Sequence, residues 1–187
     1  MAMPSGTISP GDFSAHAVSP ELRREIATLT RLVWPSTQTL DQQIENRCRE
    51  DERDCDAMSQ VRWHLVHDEG KLVAMSRTFR RVVATESGQH FPVLALANVC
   101  VHPEFRGRSH GRQAVQMAWA RLSAELPLSF YQSGVPAFYE RLGARLVPNR
   151  IYDSTGADCA FWEPHAMIYP ANASWPGEAI DLLGRGW

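Results

Sequence analysis

In residues 91–101 apolar side chains fall on both parities, at Val93, Leu94, Leu96, Val99 and Val101, which predicts a strand covered on both faces. Pro103 has no N–H for a sheet ladder and ends it. Beyond a polar stretch, Ala114, Val115, Ala118, Trp119, Leu122 and Leu126 recur at three- and four-residue spacing, the mark of an amphipathic helix. Near the start, Ser19-Pro20-Glu21 reads as an N-cap, a first-turn proline and an early acid. The helix it opens runs through Leu22, Ile26, Leu29, Leu32 and Val33 and stops before Pro35. Residues 37–55 read as a second helix with Leu40 and Ile44 its clear apolar anchors, and the acidic run at 50–56 is expected to be exposed.

Residues 61–67 and 72–84 read as strands joined by the hairpin turn Asp68-Glu69-Gly70-Lys71, and a turn within 85–89 leads into the strand at 91–101. Strands on short turns predict an antiparallel meander. A short strand is expected at 13–18 and another at 128–132. Residues 134–143 read as a short helix with Pro136 near its start and Gly143 ending it. Two further strands, 146–152 and 159–167, flank a turn at 153–156, and a Pro/Gly-punctuated tail occupies 169–187.

A chain of 187 residues, 44% apolar and with six tryptophans, fits one domain (1–187, core about 12–168) with a substantial core. Its formal charge of -2, with no basic stripe bearing stacking aromatics, argues against nucleic acid as a partner. Cys48, Cys55, Cys100 and Cys159 have no C-x-x-C spacing and read as reduced thiols. No secretory signal and no apolar run long enough to span a bilayer are present, so the expectation is a soluble, cytoplasmic protein without a membrane partner. No metal is expected: His64 and His67, three apart on a strand, face opposite sides, and no H-E-x-x-H or paired-cysteine spacing occurs.

The chemistry concentrates in Arg106-Gly107-Arg108-Ser109-His110-Gly111-Arg112, set between a strand end and a helix start. First-turn N–H groups, the helix dipole and glycines that let backbone approach closely together suit phosphate. Val101-x-Pro103-Glu104-Phe105-Arg106-Gly107-x-x-x-Gly111 resembles the V-x-P-x-x-R-G-x-G-x-G motif of the GNAT superfamily of acyl-CoA-dependent N-acetyltransferases, with Ser109 in place of the middle glycine. The order of elements is similar to the GNAT fold, an α+β class with a mixed, largely antiparallel central sheet flanked by helices. The resemblance implies acetyl-CoA as co-substrate. Its pyrophosphate would lie on Arg106, Gly107, Arg108, Ser109, His110, Gly111 and Arg112. The backbone of Val99, Cys100 and Val101 would pair with the pantetheine arm, one N–H there facing the thioester carbonyl as an oxyanion hole. If the middle position needs positive φ, Ser109 carries a cost.

Phe138-Tyr139-x-x-Leu142-Gly143 resembles the F-Y-x-x-x-G-F segment of the same superfamily, with Ala144 where the aromatic usually stands. That likeness makes Tyr139 the candidate proton donor to the departing thiolate; otherwise it is a packed aromatic. Cys100 reads as a small buried hydrophobe without a His/Asn context for nucleophilic work. No acid stands on the strand before the loop, leaving Asn98, Glu140, His90 and His102 as candidates for deprotonating or positioning the acceptor. Gly184-Arg185-Gly186-Trp187 bears a weak resemblance to the tryptophan terminus of aminoglycoside-type N-acetyltransferases, against a frayed end as the alternative. Arg77, Arg80 and Arg81 read as a solvated group, and the acidic run at 50–56 as either solvated or the entrance for a cationic amine. The function implied is acetyl transfer to a small-molecule primary amine by direct attack in a ternary complex. A non-catalytic acyl-CoA-binding regulatory module is the alternative. A homodimer is possible, since many members of the fold assemble through C-terminal strands.

Overall fold

A computed structural model describes residues 8–54, 61–153 and 165–187. The fold is mixed α+β with a mostly antiparallel sheet flanked by helices. The chain divides into two compact units, Met1–Phe79 with Ala97–Ala120, and Arg80–Leu96 with Arg121–Trp187.

The first unit opens with β1 (Ile8–Ser14), α1 (Pro20–Val33) and α2 (Leu40–Arg53). Ser19 caps α1 by accepting from the Leu22 N–H at 3.2 Å, with Pro20 in the first turn. Thr39 and Gln42 close a reciprocal capping box on α2, at 3.2 and 2.9 Å. β2 (Arg62–Asp68) pairs antiparallel with β1 and with the first part of β3 (Lys71–Thr85). Glu69 and Gly70, at φ 51° and 79°, make the tight turn between them. The end of β4 (His90–Val101) and α3 (His110–Trp119) complete the unit. One face of the strands packs α1 through Ile26, Leu29, Trp63, Leu65, Met75 and Cys100. The other packs α3 through Val66, Val73, Ala74 and Ala114.

In the second unit the first part of β4 runs parallel to β5 (Ser129–Gln132) at Leu94–Ser129 and Ala95–Phe130. β8 (Ala166–Tyr169) pairs antiparallel with β5 and with β6 (Arg145–Leu146). β7 (Ile151–Tyr152) pairs with β9 (Ile180–Asp181), which also pairs with the end of β3. Helix α4 (Pro136–Glu140) starts on a proline, and Gly143 follows it at φ 92°. The core is apolar: Val83, Val93, Phe130, Ile151, Ile168 and Ile180, with Trp175 and Trp187 packed against it.

Several expectations need correction. α3 ends at Trp119, so Leu122 and Leu126 are not part of it. The segment 146–152 is two short strands, β6 and β7, rather than one. The tail supplies β9, and the Trp187 ring packs on Phe130 (6.1 Å between centroids) with the Arg81 guanidinium 5.5 Å away, so it is no frayed end. The acidic run is solvated only in part: Glu52 is exposed, but Asp51 is 0% and Asp54 3% exposed. Neither is Arg77 solvated, at 1% exposed. Cys55, Asp56, Cys159 and most of the turn at 153–156 lie outside the described residues.

Candidate functional site

In the first unit β4 ends at Val101 and a single helical turn at Pro103–Phe105 leads into the basic loop. Gly107 lies at φ 78°, with open space where a Cβ would stand. Ser109 lies at φ 67° and ψ 3°, the left-handed conformation, and caps α3 without a side-chain hydrogen bond. The middle position of the motif therefore does need positive φ, and Ser109 adopts it at a steric cost that glycine avoids. Arg106, Arg108 and Arg112 are exposed, while His110 and Gly111 are buried. Exposed guanidinium groups, an open glycine and the first turn of a ten-residue helix are the groups here that could hold a pyrophosphate. Arg108 and Lys71 both stand over the Phe105 ring, at 5.1 and 5.2 Å, and His110 Nε2 lies 3.4 Å from Asp68.

Upstream, the backbone at Val99, Cys100 and Val101 is extended strand, with Val101 packed toward α3 and Cys100 toward α1. Burial pushes the Cys100 thiol up to about 12, so it is not a nucleophile at neutral pH. Asn98 just before them is left-handed, at φ 52°, and its Oδ1 accepts from Arg47 Nη1 at 3.2 Å. That side chain is thus engaged with α2. Below it lies a buried ion network. Arg77 donates to Asp51 (Nε, 2.7 Å) and Asp54 (Nη1, 2.9 Å), the Trp63 indole N–H donates to Asp51 at 3.2 Å, and Arg53 donates to Asp54 at 2.8 Å. Two of the acids expected to greet a cationic amine, Asp51 and Asp54, are therefore neutralised by arginines.

In the second unit Tyr139 is buried on α4, its ring 4.9 Å from both Tyr131 and Phe138. Burial, and then the neighbouring Tyr139, raise the Tyr131 phenol above its ordinary range, so it stays protonated. Of the other base candidates, His90 and Glu140 are exposed. His102 is buried, with Nδ1 accepting from the Glu104 N–H at 3.3 Å, and borders a cavity of about 870 Å³ lined also by Arg24, Leu29, Ile44 and Lys71. His64 is buried beside Thr78 (2.8 Å) and His67 pairs with Glu25 (3.3 Å). Among the described residues no helix is long and apolar enough to cross a membrane.

Sequence reasoning missed Gln43 and Arg47. The signal was present: Gln43, Arg47, Asp51 and Asp54 recur at helical spacing and share one face of α2, but charged residues at that spacing read as a solvated stripe.

A family model described as an acetyltransferase (GNAT) domain matches residues 15–147. No curated protein matches the chain. Among solved structures, the GNAT family N-acetyltransferase YhbS from Escherichia coli in complex with CoA aligns at TM-score 0.62 and 15% identity, covering 97% of this chain and 93% of that one. Glucosamine-6-phosphate N-acetyltransferase from Arabidopsis thaliana aligns at 0.55 and 15% identity, covering 73% and 90%. A GCN5-related N-acetyltransferase from Kribbella flavida aligns at 0.57 and 14% identity over 76% of this chain, which spans only 34% of that longer one.

Proposed function

The chain belongs to the GNAT acetyltransferase family, and on that premise we propose that it transfers an acetyl group from acetyl-CoA to a primary amine by direct attack within a ternary complex. The observation that carries the reading is the basic loop, with Gly107 and Ser109 left-handed and three arginines exposed at the start of α3. The loop holds the pyrophosphate, and the backbone of Val99, Cys100 and Val101 lines the pantetheine arm. The amine nitrogen bonds to the thioester carbonyl carbon, negative charge on the carbonyl oxygen meets a backbone N–H near Val101, and the C–S bond breaks. The thiolate takes its proton from the Tyr139 hydroxyl, which recovers one from solvent, and the acceptor's surplus proton leaves to water. Cys100 takes no covalent part, because its thiol stays protonated.

Thermal melting with and without acetyl-CoA is the first test. A ligand at one hundred times its Kd raises stability by about 2.7 kcal/mol, or about 5–10 °C for a chain of this size. The Arg106→Glu variant is expected to lose that rise. Release of CoA thiol with an amine panel then reports transfer, and Tyr139→Phe is expected to slow it about a hundredfold. No midpoint shift at millimolar acetyl-CoA would overturn the reading. A shift without thiol release from any amine would make the protein an acyl-CoA-binding regulator.

A further inference from the structure

Helix α2 turns a polar stripe inward; at one end its acids are paired, although Arg77 Nη2 beside them is not, and at the other end its amide is unpaired. At its C-terminal end Asp51 and Asp54 are locked to Arg77, Arg53 and Trp63. At its N-terminal end Gln43 has both amide atoms, Nε2 and Oε1, buried without a hydrogen-bond partner. A buried amide left unpaired is destabilising, and native structures rarely keep one without a ligand or water to satisfy it. One turn further on, Arg47 donates from Nη1 alone, to Asn98 and to Glu50, so among the described residues its Nη2 and Nε donate to none. Burial disfavours the charge on this guanidinium, and a further anion beside it would restore it. Its one acidic hydrogen-bond partner, Glu50, is 37% exposed in the side chain, where solvent screens the attraction.

The position of this pair matters because the side chain that Arg47 grips, Asn98, immediately precedes Val99, Cys100 and Val101. On the acetyltransferase reading, on which this inference rests, the thioester lies along those residues. We propose that Gln43 and Arg47, braced on Asn98, recognise the acceptor, and that the acceptor is a primary amine carrying an oxyanion. Arg47 holds the oxyanion through its unused N–H groups, and the Gln43 amide pairs with a polar group beside it. Carboxylate and phosphate share the chemistry that Arg47 reads. A site whose buried polar groups need such a partner rejects an acceptor that lacks it.

The test compares two matched pairs of amines with acetyl-CoA: glycine against glycinamide, and a phosphorylated amino sugar against its unphosphorylated form. Thiol release gives kcat/KM, and melting of the CoA-bound protein with each amine gives binding. The oxyanion member of at least one pair is expected to win by tenfold or more in kcat/KM and to add a midpoint rise that its neutral partner does not, and the winning pair tells carboxylate from phosphate. Arg47→Gln is expected to raise KM for the winning amine at least tenfold while the acetyl-CoA-dependent midpoint rise persists. Gln43→Leu, which keeps the guanidinium, is expected to raise the same KM several-fold. Equal or inverted preference in both pairs, a CoA-bound protein that binds neither oxyanion member, or an Arg47→Gln variant that folds and keeps the preference would overturn the proposal with the acetyltransferase reading intact. Absence of any acetyl-CoA-dependent shift and of any turnover would instead remove that reading, and this inference with it.

Discussion

In the first unit the inward face of α2 carries Gln43, Arg47, Asp51 and Asp54 against Trp63 and Arg77, whereas the second unit packs Val83, Val93, Phe130, Ile168 and Ile180 under Trp175 and Trp187. The contrast extends to backbone strain. Glu69, Asn98 and Ser109 of the first unit hold left-handed conformations with side chains attached; in the second unit glycine takes that role at Gly88, Gly143 and Gly184, and Leu183 is the exception. Apolar packing tolerates many sequences of similar volume, while a buried ion network fixes particular partners at particular distances. The unit that bears the candidate phosphate cradle is the one built from specific polar contacts. The second unit, whose largest cluster is apolar but which also buries Thr85, Ser129 and Ser133, carries the candidate proton donor Tyr139.

Single substitutions should separate the two. Arg77→Leu strips two buried carboxylates of their main partner and is expected to cost about 3–5 kcal/mol. Phe130→Ala in the second unit should cost about as much, through lost burial and a cavity. The distinction lies in repair. The triple variant Asp51→Leu, Asp54→Leu, Arg77→Met removes the three fully buried charges, leaving the more exposed Arg53 and Arg23 without their carboxylates, and should regain at least half of what Arg77→Leu loses. It will not regain everything, because the Trp63 indole N–H then lacks its acceptor, a penalty of about 1–3 kcal/mol. Urea denaturation of the three variants reads this directly. A triple variant no more stable than Arg77→Leu would mean that shape, not charge balance, governs the cluster.

This network also marks where the sequence stopped being legible. The strands at 61–67, 72–84 and 91–101 announced themselves by their apolar runs, and the cap at Ser19 sits one residue before a helix of regular apolar rhythm, whereas the second helix, read from 37, starts at Leu40 behind a Thr39 cap. The basic loop's place between the end of β4 and the start of α3 was legible from its glycines, arginines and flanking patterns. Asp51, Asp54 and Arg77 were not, because an acid buried against an arginine from another element looks in one dimension like any solvated charge. Arg47, which reaches Asn98 on another element, was hidden for the same reason. α3 was drawn too long because Leu122 and Leu126 continue its spacing after the helix has ended at Trp119.

A smaller effect tests how dry the first unit is around Cys100, which packs with Trp63, Leu65 and Met75. Its thiol is raised from 9.0 to about 12 by burial. In the unfolded chain the thiol ionises from about pH 9, while in the native state it keeps its proton until near pH 12. The raised value therefore contributes stability that is full below pH 9 and is lost as pH rises toward 12. Between about pH 8.5 and 10.5 the loss should be about 1–2 kcal/mol, at up to about 1.4 kcal/mol per pH unit. Cys100→Ala is expected to flatten that slope relative to the parent. Parallel stability curves for the two proteins would mean that water reaches the thiol in the native state.

The smallest expected effect addresses strain in the loop. Ser109 sits at φ 67° and its hydroxyl makes no capping bond, so glycine there relieves a left-handed cost of about 1–2 kcal/mol for an L-residue while giving back about 0.5–1 kcal/mol of unfolded-state entropy. Ser109→Gly should thus stabilise by about 0.5 kcal/mol, whereas Ser109→Ala, which keeps the Cβ, should leave stability nearly unchanged. Acetyl-CoA affinity separates strain from chemistry. If the hydroxyl contacts phosphate, both variants lose affinity equally; if only the backbone N–H matters, Ser109→Gly binds at least as tightly as the parent. A glycine variant less stable than the alanine one would show that the left-handed turn is held by the serine itself, and the strain assigned to the first unit would shrink to Glu69 and Asn98.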